Sequence, residues 1–383
     1  MAKKPVLGLA AVIATTLVVA GCTPTTPADS PTNATGSDWN AILEAAREEG
    51  TVNIGLHAGP GYEEFLAYAN ETMQEEFGIQ VTGSTISVDQ WANRVLAEQA
   101  TGQYLWDLHT GPGGQSYTIL QPADALELMD PWLAKIPDEN KADDLWAGGF
   151  ELWADPDAHY SFVHHVDLRE STYVNRDLVD DDFLEDEDDF GDLLDPSLAG
   201  QIVVEDPRNI GNSSNQMTWF LGESRADEYG EDFLEELMAT QITVAADRET
   251  MARDFVQGRY PVAIGADQDM VNNFISEGLG GENIERLPVT NTGSRSVSII
   301  KNPPHPNATL VFLNWFLSHE GQDAWARLSN ISANSRRLDV EVYSPDTTPD
   351  YSRLDDYQPI LGTRSGAEAI GTVIRIAQET LGR

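Results

Sequence analysis

A chain of 383 residues is long enough for two lobes of ordinary size, and at 41% hydrophobic residues it can build proper cores. Its 63 acidic residues outnumber 23 lysines and arginines, a formal net charge of −40 that repels nucleic acid and anionic lipid surfaces. The sole cysteine, Cys22, excludes an internal disulfide and argues against a thiolate zinc site, so the fold holds without bridges.

The chain opens MAKKPVLGLAAVIATTLVVAGC. Lys3 and Lys4 form a basic start, Val6 to Ala20 is apolar and uncharged, and small residues run into Cys22. A secretory leader has these features. A spanning helix wants about 20 apolar residues, more than this run offers. With the cysteine in place the stretch resembles a bacterial lipobox, which implies cleavage before Cys22 and acylation of its thiol. Thr23 to Ser37 (TPTTPADSPTNATGS) is too poor in large apolar residues to fold and reads as a flexible spacer.

Trp39, Ile42, Leu43 and Ala46 share one helical face, and Gly50 ends that helix. Thr51 to Leu56 alternates like a strand. Phe65 to Phe77 has helical spacing and stops at Gly78. Ile79 to Ile86 reads as a second strand, Trp91 to Leu96 as a helix, and Tyr104 to His109 as a third strand. Such alternation predicts βαβ units and a mainly parallel sheet. A second α/β block is expected from near Val163, with strands at 171–175, 202–205, 242–245 and 261–266 and a helix at 249–257. Asp180 to Asp189 lacks the glycine and alternation of a calcium loop and reads as a surface turn. Asn307 to Leu317 is apolar nearly all round and should be buried. Ile370, Val373, Ile374, Ala377 and Leu381 should form the apolar face of a last helix.

In open α/β sheets ligands bind beyond the carboxyl ends of the strands. Those ends carry His57, Gly59 and Gly61, then Ser84 and Ser87, then Gly113 and Gly114. In the second block they carry Arg208, Asn209, Ser213 and Ser214, where one of Asn212 to Ser214 should cap a helix, and Asp267, Gln268 and Asp269. Glycines let a backbone approach a ligand, but they also serve simply to turn the chain. The two aspartates favour a cationic or metal centre, or else cap the next helix. Arg94, Arg169 and Arg208 could hold an acid or serve as surface ion-pair partners. His164 and His165 face opposite sides of a strand, so at most one points into a cleft.

Four stretches resemble extracellular solute-binding proteins of ABC importers, in the iron(III)-type branch of the periplasmic-binding-protein superfamily (type II). They are Phe77 to Val81, Phe190 to Pro207 (FGDLLDPSLAGQIVVEDP), Phe255 to Ala263 (FVQGRYPVA) and, most specifically, Pro304 to Gln322 (PHPNATLVFLNWFLSHEGQ). The resemblance implies two α/β lobes joined by crossing strands, with ligand in the cleft and closure by a hinge. Carried onto this chain, residues 1–21 are leader, 22–37 anchor and linker, 38–165 with 288–340 one lobe, and 166–287 with 341–383 the other. It implies a monomer without cofactor, held to the cell surface or periplasmic membrane by a lipid on Cys22, with permease subunits as partners. Ferric-binding members carry a tyrosine pair where this chain has Asp267-Gln268 or Gln268-Asp269, while His57 and Asp267 remain possible metal ligands. Ferric iron, a metal chelate and an organic cation such as a polyamine or a thiamine-like amine stay open as cargo. A sensor handing its ligand to a receptor is the alternative. A surface hydrolase is disfavoured, since Gly293-Ser294-Arg295-Ser296 lacks the second glycine of a nucleophile elbow and no histidine pair has H-E-x-x-H spacing.

Overall fold

The computed structural model describes residues 38–57, 61–86, 88–112, 114–169, 171–180, 183–184, 190–280, 283–288, 291–329 and 334–382. The leader, Cys22 and most of the acidic run at 180–189 lie outside them. Helix α1 (Trp39–Glu49) starts at Asp38, whose carboxylate accepts from Asn40 N–H, and ends at Gly50 in the left-handed region. Strand β1 (Thr51–His57), helix α2 (Tyr62–Phe77), strand β2 (Gln80–Ile86), helix α3 (Val88–Ala100) and strand β3 (Leu108–Pro112) follow. Then come α4 (Asp130–Leu133), β4 (Ser161–Leu168), β5 (Ser171–Asn175), β6 (Ile202–Val204), α5 (Asn212–Met217), α6 (Gly230–Glu236), β7 (Ile242–Val244), α7 (Arg248–Val256), β8 (Val262–Ala266), α8 (Gln268–Ser276), β9 (Ile284–Arg286) and β10 (Thr292–Ile299). Helices α9 (Pro306–Leu317), α10 (His319–Leu328) and α11 (Arg364–Leu381) complete the chain.

Two five-stranded sheets result, in the orders β2-β1-β3-β10-β4 and β7-β6-β8-β5-β9. Both are mixed, which corrects the expectation of a mainly parallel sheet. The runs β2-β1-β3 and β7-β6-β8 are parallel, while β10 lies antiparallel to β3 and β4, and β5 antiparallel to β8 and β9. The third strand begins at Leu108, four residues later than expected, and runs through Pro112. Asp107 sets that start: its N–H donates to Asn53 O and its carboxylate accepts from Asn53 N–H at 2.7 Å. The stretch around Val163 is β4, at the edge of the first sheet rather than the start of the second.

Helices α1, α2, α9 and α10 cover one face of the first sheet, with α9 buried at ten of its twelve residues, as all-round apolarity requires. On the second sheet α5, α6 and α11 pack one face and α7 and α8 the other. The buried stripe of α11 is Ala369, Val373, Ile376 and Ala377, rotated from the expected one so that Ile370 and Ile374 sit at its margin. The chain crosses from the first sheet to the second between β4 and β5 and returns between β9 and β10. The crossings are tied by Arg169 N–H donating to Asn291 O at 2.9 Å. Leu361 runs beside the return, its N–H donating to Thr292 O and its carbonyl accepting from Ser294 N–H, both at 2.8 Å. These crossings are the hinge of a two-lobe α/β fold.

Candidate functional site

The end of β8 builds one wall of the site. Gly265 has φ +78°, and a Cβ there would stand 2.5 Å from Ser213 Cα, so only glycine lets α5 come this close to β8. Ser213 fastens the junction, accepting from Glu205 N–H at 2.8 Å and donating to Ile264 O at 2.7 Å. Asn212 is thereby presented next to Asp267, Gln268 and Asp269. Asp267 caps α8, one carboxylate oxygen accepting from Met270 N–H at 3.0 Å. The hinge supplies Asp167, Arg169 and Ser171, β5 supplies Tyr173, β9 supplies Arg286, and residues 343–347 close one side. Together they line a cavity of about 550 Å³. A larger one of about 970 Å³, at the opposite end of β5 and β8, takes no residue from the first sheet or from the crossing.

Beneath the cavity lies a buried charge cluster. One oxygen of Asp167 faces Arg295 and Arg169, each at 3.2 Å, and His165 Nε2 at 3.4 Å. Burial pushes the Asp167 carboxyl up, but Arg169, Arg295 and His165 outweigh it and hold it well below the usual carboxylate range. Burial lowers Arg295, yet Asp167 and Tyr62 more than compensate. Burial drives His165 down to about 4 despite Asp167, so its ring is neutral near pH 7. The two arginines, not the imidazole, are therefore the counter-charges of Asp167. His165 Nδ1 accepts from Trp325 Nε1–H at 3.2 Å, which places the ring proton on Nε2, toward Asp167. A Cβ on Gly293 would lie 2.2 Å from Arg169 Nε, so glycine there makes room for the guanidinium.

Of the residues singled out from sequence, Arg169, Asp267, Gln268 and Asp269 come together in this cavity. Gly61, Ser84, Gly114, Arg208, Asn209, Ser213 and Ser214 lie outside its lining. Gly61 opens α2, Ser84 sits inside β2, and Gly114 O accepts from Thr118. Arg208 is taken up by Asp206 at 2.9 Å and by Gly382 O, and Asn209 is exposed. The expected cap among Asn212 to Ser214 is instead Gly211, whose N–H donates to Ser214 Oγ. Arg94 pairs with Glu98 at 2.7 Å on α3. His164 and His165 are both fully buried, and neither lines the cavity. His57 closes β1 beside Ile86, while Gly59, Ser87 and Gly113 fall outside the described residues. Sequence reading missed Tyr173 and Arg286. A signal was available for Tyr173 alone, which lies in the strand read at 171–175; Arg286 is placed beside it only by the pairing of β5 with β9. Among the described residues no group of three or more His, Cys, Asp or Glu is placed to hold a metal ion, and no helix is long and apolar enough to cross a membrane.

Residues 67–348 match the family described as bacterial extracellular solute-binding protein. An uncharacterised protein of Haemophilus influenzae is 29% identical over 141 residues, 35% of this chain and 38% of that relative's length. Among solved structures, iron-bound HitA from Pseudomonas aeruginosa aligns with a TM-score of 0.52 at 18% identity, covering 85% of this chain and 99% of its own. Ferric iron-binding protein A of Mannheimia haemolytica, in an open conformation, gives 0.58 at 14%, covering 87% and 98%. The Trichodesmium protein IdiA (FutA), in complex with iron and citrate, gives 0.57 at 15%, covering 85% and 99%. At such identities the likeness establishes the fold.

Proposed function

The chain belongs to the bacterial extracellular solute-binding proteins, and from that premise we propose that it captures a small solute in the hinge cavity and delivers it to an ABC permease. The observation that carries this reading is the position of the cavity at the hinge: it takes Asp167 and Leu168 from the end of β4, Arg169 from the crossing, and Ser171 and Tyr173 from β5, so it forms the second body's wall of the interlobe cleft. A hinge motion there changes the shape of the site and of the surface a permease would meet. The moving bodies we assign are 38–165 with 288–340, and 166–287 with 341–383. The mature protein should contract when cargo binds, and small-angle scattering with and without a ligand checks it. A ligand at a hundred times its dissociation constant should also add about 2.7 kcal/mol to stability. An unchanged radius on saturation would point to a rigid pocket instead.

The lipobox-like start supports an anchor on Cys22, with the 23–37 spacer holding the lobes off the membrane. Cys22→Ser should leave the protein soluble or unprocessed after membrane fractionation. Partitioning like the unaltered chain would remove the anchor from this reading.

A further inference from the structure

The cavity is polarised by the order of the strands. In the second sheet β5 lies between β8 and β9, and Tyr173 pairs with Ala263 on one side and Arg286 on the other. Acidic groups therefore come off the end of β8, at Asp267 and Asp269, and a cation comes off β9, at Arg286. Two strand spacings, about 10 Å, separate their backbones.

Both ends have capacity left over. Arg286 donates from Nε to Ser171 Oγ at 3.0 Å, and among the described residues no carboxylate pairs with it. Arg169 stands nearby and shares Asp167 with the buried Arg295. Asp267 commits one oxygen to capping α8. Tyr173, between the two ends, is 3% exposed, and among the described residues its hydroxyl has no hydrogen-bond partner. Burying a hydroxyl without a partner is costly, so this one points to a ligand. Burial pushes the phenol up to about 12; Arg286 opposes that shift while Asp267 and Asp269 add to it, so the hydroxyl feels both ends of the cavity. A cargo with a single charge would satisfy one end and leave the other desolvated.

We propose that the cleft takes a small ampholyte: a primary amine and a carboxylate or phosphonate joined by a short carbon chain. The acid lies on Arg286 and Arg169, the ammonium group on Asp269 and Asp267, and the Tyr173 hydroxyl donates to the acid. The inference rests on the capture role proposed above and adds the class of cargo.

Calorimetry on the mature protein tests it with β-alanine, 4-aminobutyrate and 2-aminoethylphosphonate, whose comparison separates carboxylate from phosphonate. Propionate, ethylphosphonate and ethylamine are the single-charge controls, and ferric citrate and spermidine the rival cargoes. At least one ampholyte should bind, with its single-charge analogues more than tenfold weaker. Arg286→Gln and Asp269→Asn should each weaken that binding more than tenfold and leave the melting temperature of the empty protein unchanged, while Arg286→Lys should retain part of it. The proposal is overturned if no ampholyte binds, if a single-charge analogue binds as tightly, or if neither substitution affects affinity. Should ferric citrate or spermidine alone bind and contract the protein, the cargo class falls and the capture role stands. Binding of any probe without contraction counts against the capture role itself.

Discussion

Asp167→Asn should cost about 3–5 kcal/mol of unfolding free energy, the range for removing one partner of a buried ion pair. Asp167 is 1% exposed and Arg295 4%, so neither can turn to water when its partner is lost. Arg295 also donates to Tyr62 at 3.2 Å, but a phenol hydroxyl does not neutralise a guanidinium. Arg169 is partly exposed and can relax toward solvent; Arg295 cannot. The penalty therefore comes mainly from Arg295 left charged in a dry site. Urea unfolding measures it, and Asp167→Leu combined with Arg295→Met should recover much of the loss because it removes both charges. A loss below about 1 kcal/mol in Asp167→Asn, the size of an exposed pair, would mean that water reaches Arg295. The position of this cluster under the hinge makes the result matter for function: it fixes the backbone from which Arg169 reaches the cavity.

Much of the fold could be read from sequence wherever side-chain period and punctuation agree. Helices α1 and α2 end at Gly50 and Gly78, both in the left-handed region, and their apolar faces turn to the core as the spacing predicts. Strand β10 could not be read this way. Its TGSRSVSI is buried along its whole length, yet five of its eight residues are polar. Two of its three serines are satisfied inside the fold, Ser294 by Leu361 O and Ser298 by Ser161 Oγ, while Ser296 Oγ finds no hydrogen-bond partner among the described residues, so burial leaves no trace in hydropathy. Arg336 hides for the same reason: it is fully buried with its guanidinium on the carbonyls of Val163, Gly149 and Phe150. At the site, Asp267 to Asp269 stand out because they follow a strand. Arg286 does not, because its place beside Tyr173 depends on the register of an antiparallel pair distant in sequence.

Stability should fall steeply as pH drops from about 6.5 to 4, and the two buried histidines should dominate the loss. Burial lowers His165 to about 4 in the folded protein, while an unfolded histidine titrates near 6.5. Burial likewise holds His164 well below its ordinary value, helped by His165, Arg295 and Arg336. Over this window the unfolded chain takes up protons that the folded protein refuses, so acidification favours unfolding. A shift of that size in His165 is worth on the order of 3 kcal/mol, and His164 adds to it in the same direction. Asp167 works in a different range: its depressed carboxyl contributes stability above about pH 4, which is lost only as pH falls further toward its folded value. Unfolding free energies at several pH values between 7 and 4 measure the slope. His164→Gln should make the slope shallower, since the amide can still meet Thr110 Oγ1, now 2.9 Å from His164 Nε2, without titrating. A flat profile would mean that both imidazoles take up protons in the folded protein as readily as in the unfolded chain and are charged below about pH 6. His165 would then be an ion-pair partner of Asp167, and Asp167→Asn would leave two buried cations unpaired rather than one.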